Sequence, residues 1–136
     1  MDNYEYSFNV KDITLLEETL DPTFLYELPE SEWDDYNGDG IIDTVLTKEL
    51  YLQWISVLFS SYEVVELNLN GDSEYVWAGD PSGETLQLLR AYQKKAYNWV
   101  GGVQEGFVEQ GNITFLVKSE TSGSWKILSI FEQVEQ

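Results

Sequence analysis

A chain of 136 residues, 43% hydrophobic and 15% aromatic, is long enough to bury one core without disulfide or metal staples, and too rich in Trp and Tyr to read as a disordered segment despite its charge. Its 25 Asp and Glu against seven Lys and Arg give a formal net charge of -18, a field that repels phosphate backbones and anionic membranes, argues against a nucleic-acid partner and favours cations. With no cysteine and no histidine, the sequence excludes disulfides, thiolate and imidazole metal sites and His-based catalytic dyads and triads, leaving oxygen donors suited to calcium or magnesium.

In chain order, Tyr4, Phe8, Ile13, Leu16 and Leu20 fall near one helical face, with Asn9 or Asp12 able to cap a second turn, so the N-terminus reads as one broken helix or two short ones. Asp21-Pro22 stops helical propagation, because proline disfavours helical geometry at the residue before it. A short strand over 23–28 follows, then an acidic, glycine-punctuated segment over 29–43. Thr47 is an N-cap for the next helix, in which Leu50, Trp54, Leu58 and Tyr62 recur every four residues and Tyr51, Ile55 and Phe59 lie alongside. That apolar stripe is wide enough to pack against a sheet.

From Val64 the pattern changes to strands, at 64–70, 74–77, 85–99, 103–109, 112–120 and 124–132. Hairpin signals separate them: Asn70-Gly71-Asp72, Asp80-Pro81-Ser82-Gly83, Gly101-Gly102, Gln110-Gly111-Asn112 and Ser122-Gly123. Near the end Ile113, Phe115 and Val117 alternate with Thr114 and Lys118, and Trp125, Ile127 and Phe131 alternate with Lys126 and Glu132. Arg90, Lys94 and Lys95 fall in one predicted strand, Arg90 and Lys94 on one face and Lys95 on the other; they read as a solvated strand protected against edge pairing, with contact to an anionic ligand as the alternative. Helices first and strands afterwards give an α+β domain, with N-terminal helices packed on a strongly curved antiparallel sheet. Residues 1–136 form a single domain with an insertion at about 33–44, without internal repeats or linkers.

The insertion carries the most specific motif, Asp35-Tyr36-Asn37-Gly38-Asp39-Gly40-Ile41-Ile42-Asp43. Calcium takes six to eight oxygen ligands, and a short loop supplies them by pointing side chains inward at alternate positions. Asp35, Asn37 and Asp39 stand at positions 1, 3 and 5; Gly40 at position 6 permits the sharp turn; the Ile41 carbonyl and the Asp43 carboxylate serve at positions 7 and 9. The motif resembles the calcium loops of EF-hand, dockerin and integrin-type β-propeller proteins. It departs from an EF-hand at position 12, where the bidentate Glu is replaced by Leu46, and in lacking an entering helix. Water, Glu32, Asp34 or Glu49 would complete the shell. The competing reading is an acidic turn in which Asn and Asp cap their own backbone.

The opening Phe8-Asn9-Val10-Lys11-Asp12-Ile13 with Leu16 and Leu20-Asp21-Pro22-Thr23-Phe24, and the closing Ser124-Trp125-Lys126-Ile127-Leu128-Ser129-Ile130, resemble the NTF2-like, cystatin-related α+β cone fold. The resemblance implies helices across a bent sheet and a pocket between them. Family members include isomerases, dehydratases, transport factors and non-catalytic binding domains, so the fold leaves function open. Tyr26, Trp54, Tyr75, Trp77, Tyr92, Tyr97 and Trp99 are candidate linings for a small apolar or flat ligand, or else core filling.

The leading expectation is a non-enzymatic ligand- or protein-interaction domain with one structural calcium ion. The rival is a small-molecule enzyme of isomerase or dehydratase type, favoured by an open pocket holding an Asp or Glu of raised pKa beside a Tyr and sunk by a pocket filled with side chains. Homodimerisation through the sheet is a third expectation. The apolar stretches are too short to span a bilayer. Asp2, Asn3 and Glu5 follow Met1 at once and show no signal peptide; the expectation is an exported protein, extracellular, periplasmic or surface-anchored, whose leader has been removed, with a cytoplasmic location as the alternative.

Overall fold

The computed structural model describes residues 2–77, 85–120 and 125–134, without the side chains of residues 2 and 71–77. The expected turns at 80–83 and 122–123, and the Tyr75 and Trp77 side chains, lie outside these described residues. Among them are α1 (Asp2–Asn9), α2 (Ile13–Thr19), β1 (Leu20–Glu27), β2 (Val45–Thr47), α3 (Lys48–Ser61), β3 (Val64–Trp77), β4 (Thr85–Val100), β5 (Val103–Ser119) and β6 (Trp125–Val134). The sheet order is β2-β1-β6-β5-β4-β3. Every pairing is antiparallel except β1 with β6, which is parallel, so the expected all-antiparallel sheet is a mixed one. α2 runs directly into β1, which enters beside the last strand in the same direction.

The N-terminal segment forms two helices, broken where Lys11 takes a left-handed φ of 54°. Asp12 caps α2, its Oδ1 accepting the Leu15 N–H at 3.0 Å. Asn9 does different work. Its Oδ1 accepts the Leu67 N–H at 2.8 Å and its Nδ2 donates to the Leu67 carbonyl at 3.1 Å, while Glu5 accepts the Leu69 N–H at 2.7 Å. These side chains stand in for a neighbouring strand along β3, which is a sheet edge, and so occupy groups that would otherwise recruit another chain.

Two strands are longer than their turn residues suggest. Asn70-Gly71-Asp72 is no hairpin but part of β3, where residues 71–73 face only Arg90 across the ladder. Gln110-Gly111-Asn112 likewise lies inside β5, paired in unbroken register with Gln93, Tyr92 and Ala91. Pairing with β4 outweighs the local turn preference in both places, through an unbroken ladder at Gly111 and around an irregularity at Gly71. Gly101-Gly102 does turn the chain: both residues have positive φ, 58° and 81°, and Val100 pairs Val103 across a two-residue loop.

In α3, Thr47 Oγ1 accepts the Leu50 N–H at 3.4 Å, and Tyr51, Ile55 and Phe59 form the buried stripe. The row of Leu50, Trp54, Leu58 and Tyr62 is the shoulder of that stripe, with Trp54 40% exposed. The core lies between helices and sheet and includes Phe8, Leu16, Ile113, Phe115 and Ile130, all with no exposure; each such side chain contributes about 1.5–3 kcal/mol on burial. A bulge in β6 then decides which residues face this interior. Leu116 pairs Ser129 while Val117 pairs Ile127, so Leu128 is the extra residue. The parity of the strand switches there: Ile127 and Ile130 are both buried, Glu132 turns inward and Phe131 does not, contrary to the simple alternation expected.

Candidate functional site

Between α3, the end of β1 and the inward faces of β4, β5 and β6 lies an open cavity of about 430 Å³. Its polar floor is brought together from three strands. Lys94 of β4 sits in the inward register with Tyr92 and Ala96 and is buried, as is Glu132 of β6. The ammonium lies 3.2 Å from both Glu132 carboxylate oxygens, and the two side chains are only 10% and 5% exposed. Lys94 is thus no solvated edge residue, because β4 runs inside the sheet between β5 and β3. Glu109 of β5 accepts a 2.7 Å hydrogen bond from the Tyr92 hydroxyl. Glu32, from a short 3₁₀ turn (Glu30–Glu32) after β1, completes three carboxylates against one ammonium.

The electrostatics follow from this crowding. Burial pushes the Glu32 carboxyl above its usual range, the charges of Glu109 and Glu132 push it further, and Lys94 pulls the other way. Burial likewise raises the Tyr26 and Tyr92 phenols, with Glu132 adding to both, so they stay protonated donors. The walls are aromatic. Trp54 meets Tyr26 and Tyr36 edge-on, both at 6.0 Å between centroids, and Tyr62 meets Phe107 at 5.6 Å. Behind them Tyr26 stacks on Tyr51 at 4.9 Å, whose hydroxyl shares a 2.7 Å hydrogen bond with that of Tyr4.

Of the expected linings, Tyr26 and Trp54 are in the cavity wall and Tyr92 supports its floor. Tyr97 and Trp99 lie on the alternate register of β4, packed edge-on against each other at 5.7 Å, with the Lys95 ammonium 5.1 Å from the Tyr97 ring. Lys94, Glu109 and Glu132 are the site residues that sequence reasoning did not assemble. A lysine in step with Tyr92 and Ala96 at the middle of a long strand was the available signal.

The acidic loop adjoins the cavity. An isolated bridge between Asp34 and Asp43 closes it, with the Asp43 N–H 2.8 Å from the Asp34 carbonyl. The chain curls about Asp35: its Oδ1 accepts the N–H groups of Gly38 and Asp39 at 2.9 and 3.2 Å, and its Oδ2 that of Gly40 at 2.8 Å. The Gly40 bond above all, with those from Gly38 and Asp39, holds the Asp35 carboxyl below the usual range. Asn37 accepts from Asp39, Asp39 from Ile41, and Asp43 from Tyr36, while Gly40 turns at φ 83°. Among the described residues, no three His, Cys, Asp or Glu side chains are gathered as a metal-holding group. The named supplements are divided: Glu32 faces the cavity, Asp34 accepts the Asp35 N–H, and Glu49 stands in the first turn of α3. Tyr36 links loop and cavity, its ring on Trp54 and its hydroxyl donating to the Glu32 carbonyl.

No protein-family model matches the sequence, and no curated protein matches it. Solved structures do. An NTF2-like superfamily protein from Salmonella enterica superposes with a TM-score of 0.69 at 12% identity, over 99% of this chain and 85% of that one. A Novosphingobium aromaticivorans protein provisionally described as a scytalone dehydratase gives 0.71 at 8% identity, over 100% and 79%. Another from that organism, provisionally described as an aromatic ring hydroxylase, gives 0.67 at 15% identity, over 100% and 84%. With three helices on a six-stranded mixed sheet curved around a cavity, and with these superpositions over nearly its whole length, the chain has the NTF2-like α+β cone fold.

Proposed function

We propose that this chain is a small-molecule-binding domain in which the cavity beneath α3 takes a compact ligand with an apolar body, and the adjoining loop holds one structural calcium ion. The carrying observation is an open cavity of about 430 Å³ whose floor keeps a buried ion pair. Such a pair is weak support for stability, since well-packed apolar residues replace it at little or no loss, so its retention in a cavity favours a role toward a ligand. A screen of neutral aromatic fragments, followed through the Trp54 indole N–H by NMR, tests this. Fragments that shift Trp54 and lose affinity in Trp54→Ala are expected; fragments that bind without moving Trp54 overturn the reading.

Calcium is supported by the spacing of Asp35, Asn37, Asp39, Ile41 and Asp43, by the left-handed Gly40 at the turn position, and by the loop's link to the cavity through Tyr36. An ion would relieve repulsion among these carboxylates and fix Tyr36 and Glu32 in place. An extracellular or surface location, where calcium is abundant, suits such a loop. Calorimetric titration of metal-stripped protein is expected to show calcium bound in preference to magnesium and a melting temperature that rises with calcium. Asp39→Ala is expected to abolish both; unchanged affinity in that variant refutes the ligand assignment.

One observation favours the enzymatic reading as a second choice: the cavity is open and holds Glu32, a carboxyl of raised pKa, within electrostatic reach of Tyr26 and Tyr36. Proton exchange at the α-carbon of small cyclic ketones, followed by deuterium wash-in, tests it. Exchange abolished in Glu32→Gln supports a general base, and no exchange above buffer rejects one.

A further inference from the structure

The cavity's charge and its walls together narrow the ligand. Among the described residues Lys94 supplies the one ammonium in its lining, and both oxygens of Glu132 hold it at 3.2 Å, so its charge is already balanced. Glu109 has one oxygen occupied by the Tyr92 hydroxyl, a neutral donor that leaves the carboxylate charge uncompensated. Glu32 adds a third acidic group to the same lining. An anion entering here would meet two unbalanced carboxyl groups and find no free cation. A neutral molecule would leave those groups without a counter-charge.

The aromatic walls point the same way. The faces of aromatic rings carry negative potential, and Trp54, Tyr26, Tyr62 and Phe107 line the same cavity as the carboxyl groups. The chain as a whole adds a net charge of -18, which raises the local concentration of cations at a cleft of the same sign. Resting on the reading of the cavity as the ligand site, we infer that its ligand is an organic cation: an amine or quaternary ammonium on a one- or two-ring apolar body. The ammonium lies toward Glu109 and Glu32, and the rings lie against Trp54 and Phe107.

Three molecules of nearly the same shape separate the possibilities: tryptamine, its neutral alcohol analogue tryptophol, and indole-3-acetate. Binding is measured by calorimetry and by the NMR shift of the Trp54 indole N–H. Tryptamine is expected to bind at least tenfold tighter than tryptophol, with indole-3-acetate weakest. Glu109→Gln keeps an acceptor for Tyr92 and is expected to weaken tryptamine about fivefold or more and to weaken tryptophol by less, narrowing the gap between the two. Equal or tighter binding of tryptophol or indole-3-acetate overturns the cation preference and leaves the cavity reading standing. If neither these molecules nor neutral fragments move Trp54, both readings fall.

Discussion

The Lys94–Glu132 pair invites the most searching perturbation. At 3.2 Å, and with an effective dielectric constant of about 20, its gross attraction is on the order of 5 kcal/mol. Lys94→Met removes that attraction and also the cost of desolvating the ammonium, but strands a carboxylate only 5% exposed, with Glu109 and Glu32 lining the same space. A net loss of about 3 kcal/mol is expected, at the lower end of the range for breaking a buried pair because the cavity admits water. Urea denaturation followed by Trp fluorescence and circular dichroism measures it. Lys94→Met with Glu132→Leu removes both charges and is expected to recover most of the loss. Ligand affinity measured in the same double variant separates the pair's part in stability from any part in binding. A loss below about 1 kcal/mol for Lys94→Met would show a solvated pair and refute the account of the floor as desolvated.

Three further outcomes test the fold around the site. Deleting Leu128 removes the bulge and turns Glu132 out and Phe131 in, and is expected to cost at least the roughly 3 kcal/mol of the broken pair, read by the same denaturation. Asn9→Ala loses both hydrogen bonds to Leu67 on the β3 edge; about 1–2 kcal/mol of stability and increased light scattering on warming are expected. Asp21 concerns acid stability: burial alone would raise its carboxyl, but Lys118 at 2.8 Å and the Thr23 hydroxyl and N–H outweigh it and lower it from 3.8 to about 2. Because the folded value lies below the unfolded one, this stability is present above about pH 4 and is lost as pH falls through about 2. With Lys118 37% exposed, the contribution is on the order of 1–2 kcal/mol, and Asp21→Asn is expected to flatten the acid limb of the urea midpoint by that amount.

The fold was legible where local chemistry and tertiary context agree. Asp12 and Thr47 cap the helices that their positions announce, and Gly101-Gly102 turns the chain as its composition demands. Legibility failed where pairing partners decide. Gly71 and Gly111 look like turns from either side, yet the long β4 ladder carries both through as strand. The site was hidden for the same reason. Only the Leu128 bulge reveals that Glu132 shares a face with Ile127, and only the position of β4 inside the sheet reveals that Lys94 cannot be a solvated edge residue. Tyr26 and Trp54 were visible as cavity linings, but the polar floor beside them was not.

The scarcity of cations makes their placement informative, because each of the seven has an identified task. Lys11 donates to the Tyr62 carbonyl at the end of α3, while Lys126 and Lys48 donate to the Glu18 and Leu20 carbonyls around the end of α2. These are the groups a helix C-terminus leaves without partners, and a cation is the favourable donor there. Lys118 holds Asp21, Lys95 lies over Tyr97, and Arg90 donates to the Leu89 carbonyl. Five of these cations therefore answer local structural needs at helix ends, a strand start and a ring face, and Arg90 bonds its own strand. Lys94 differs: its ammonium lies 5.7 and 5.8 Å from the Phe8 and Tyr92 rings and pairs with a Glu132 carboxylate that is buried and lines the cavity, where a Leu or Met would serve the interior as well. In a chain with 25 acidic residues, placing one of seven cations there ties the pair to whatever the cavity holds, and the double variant of Lys94 and Glu132 puts that dependence to measurement.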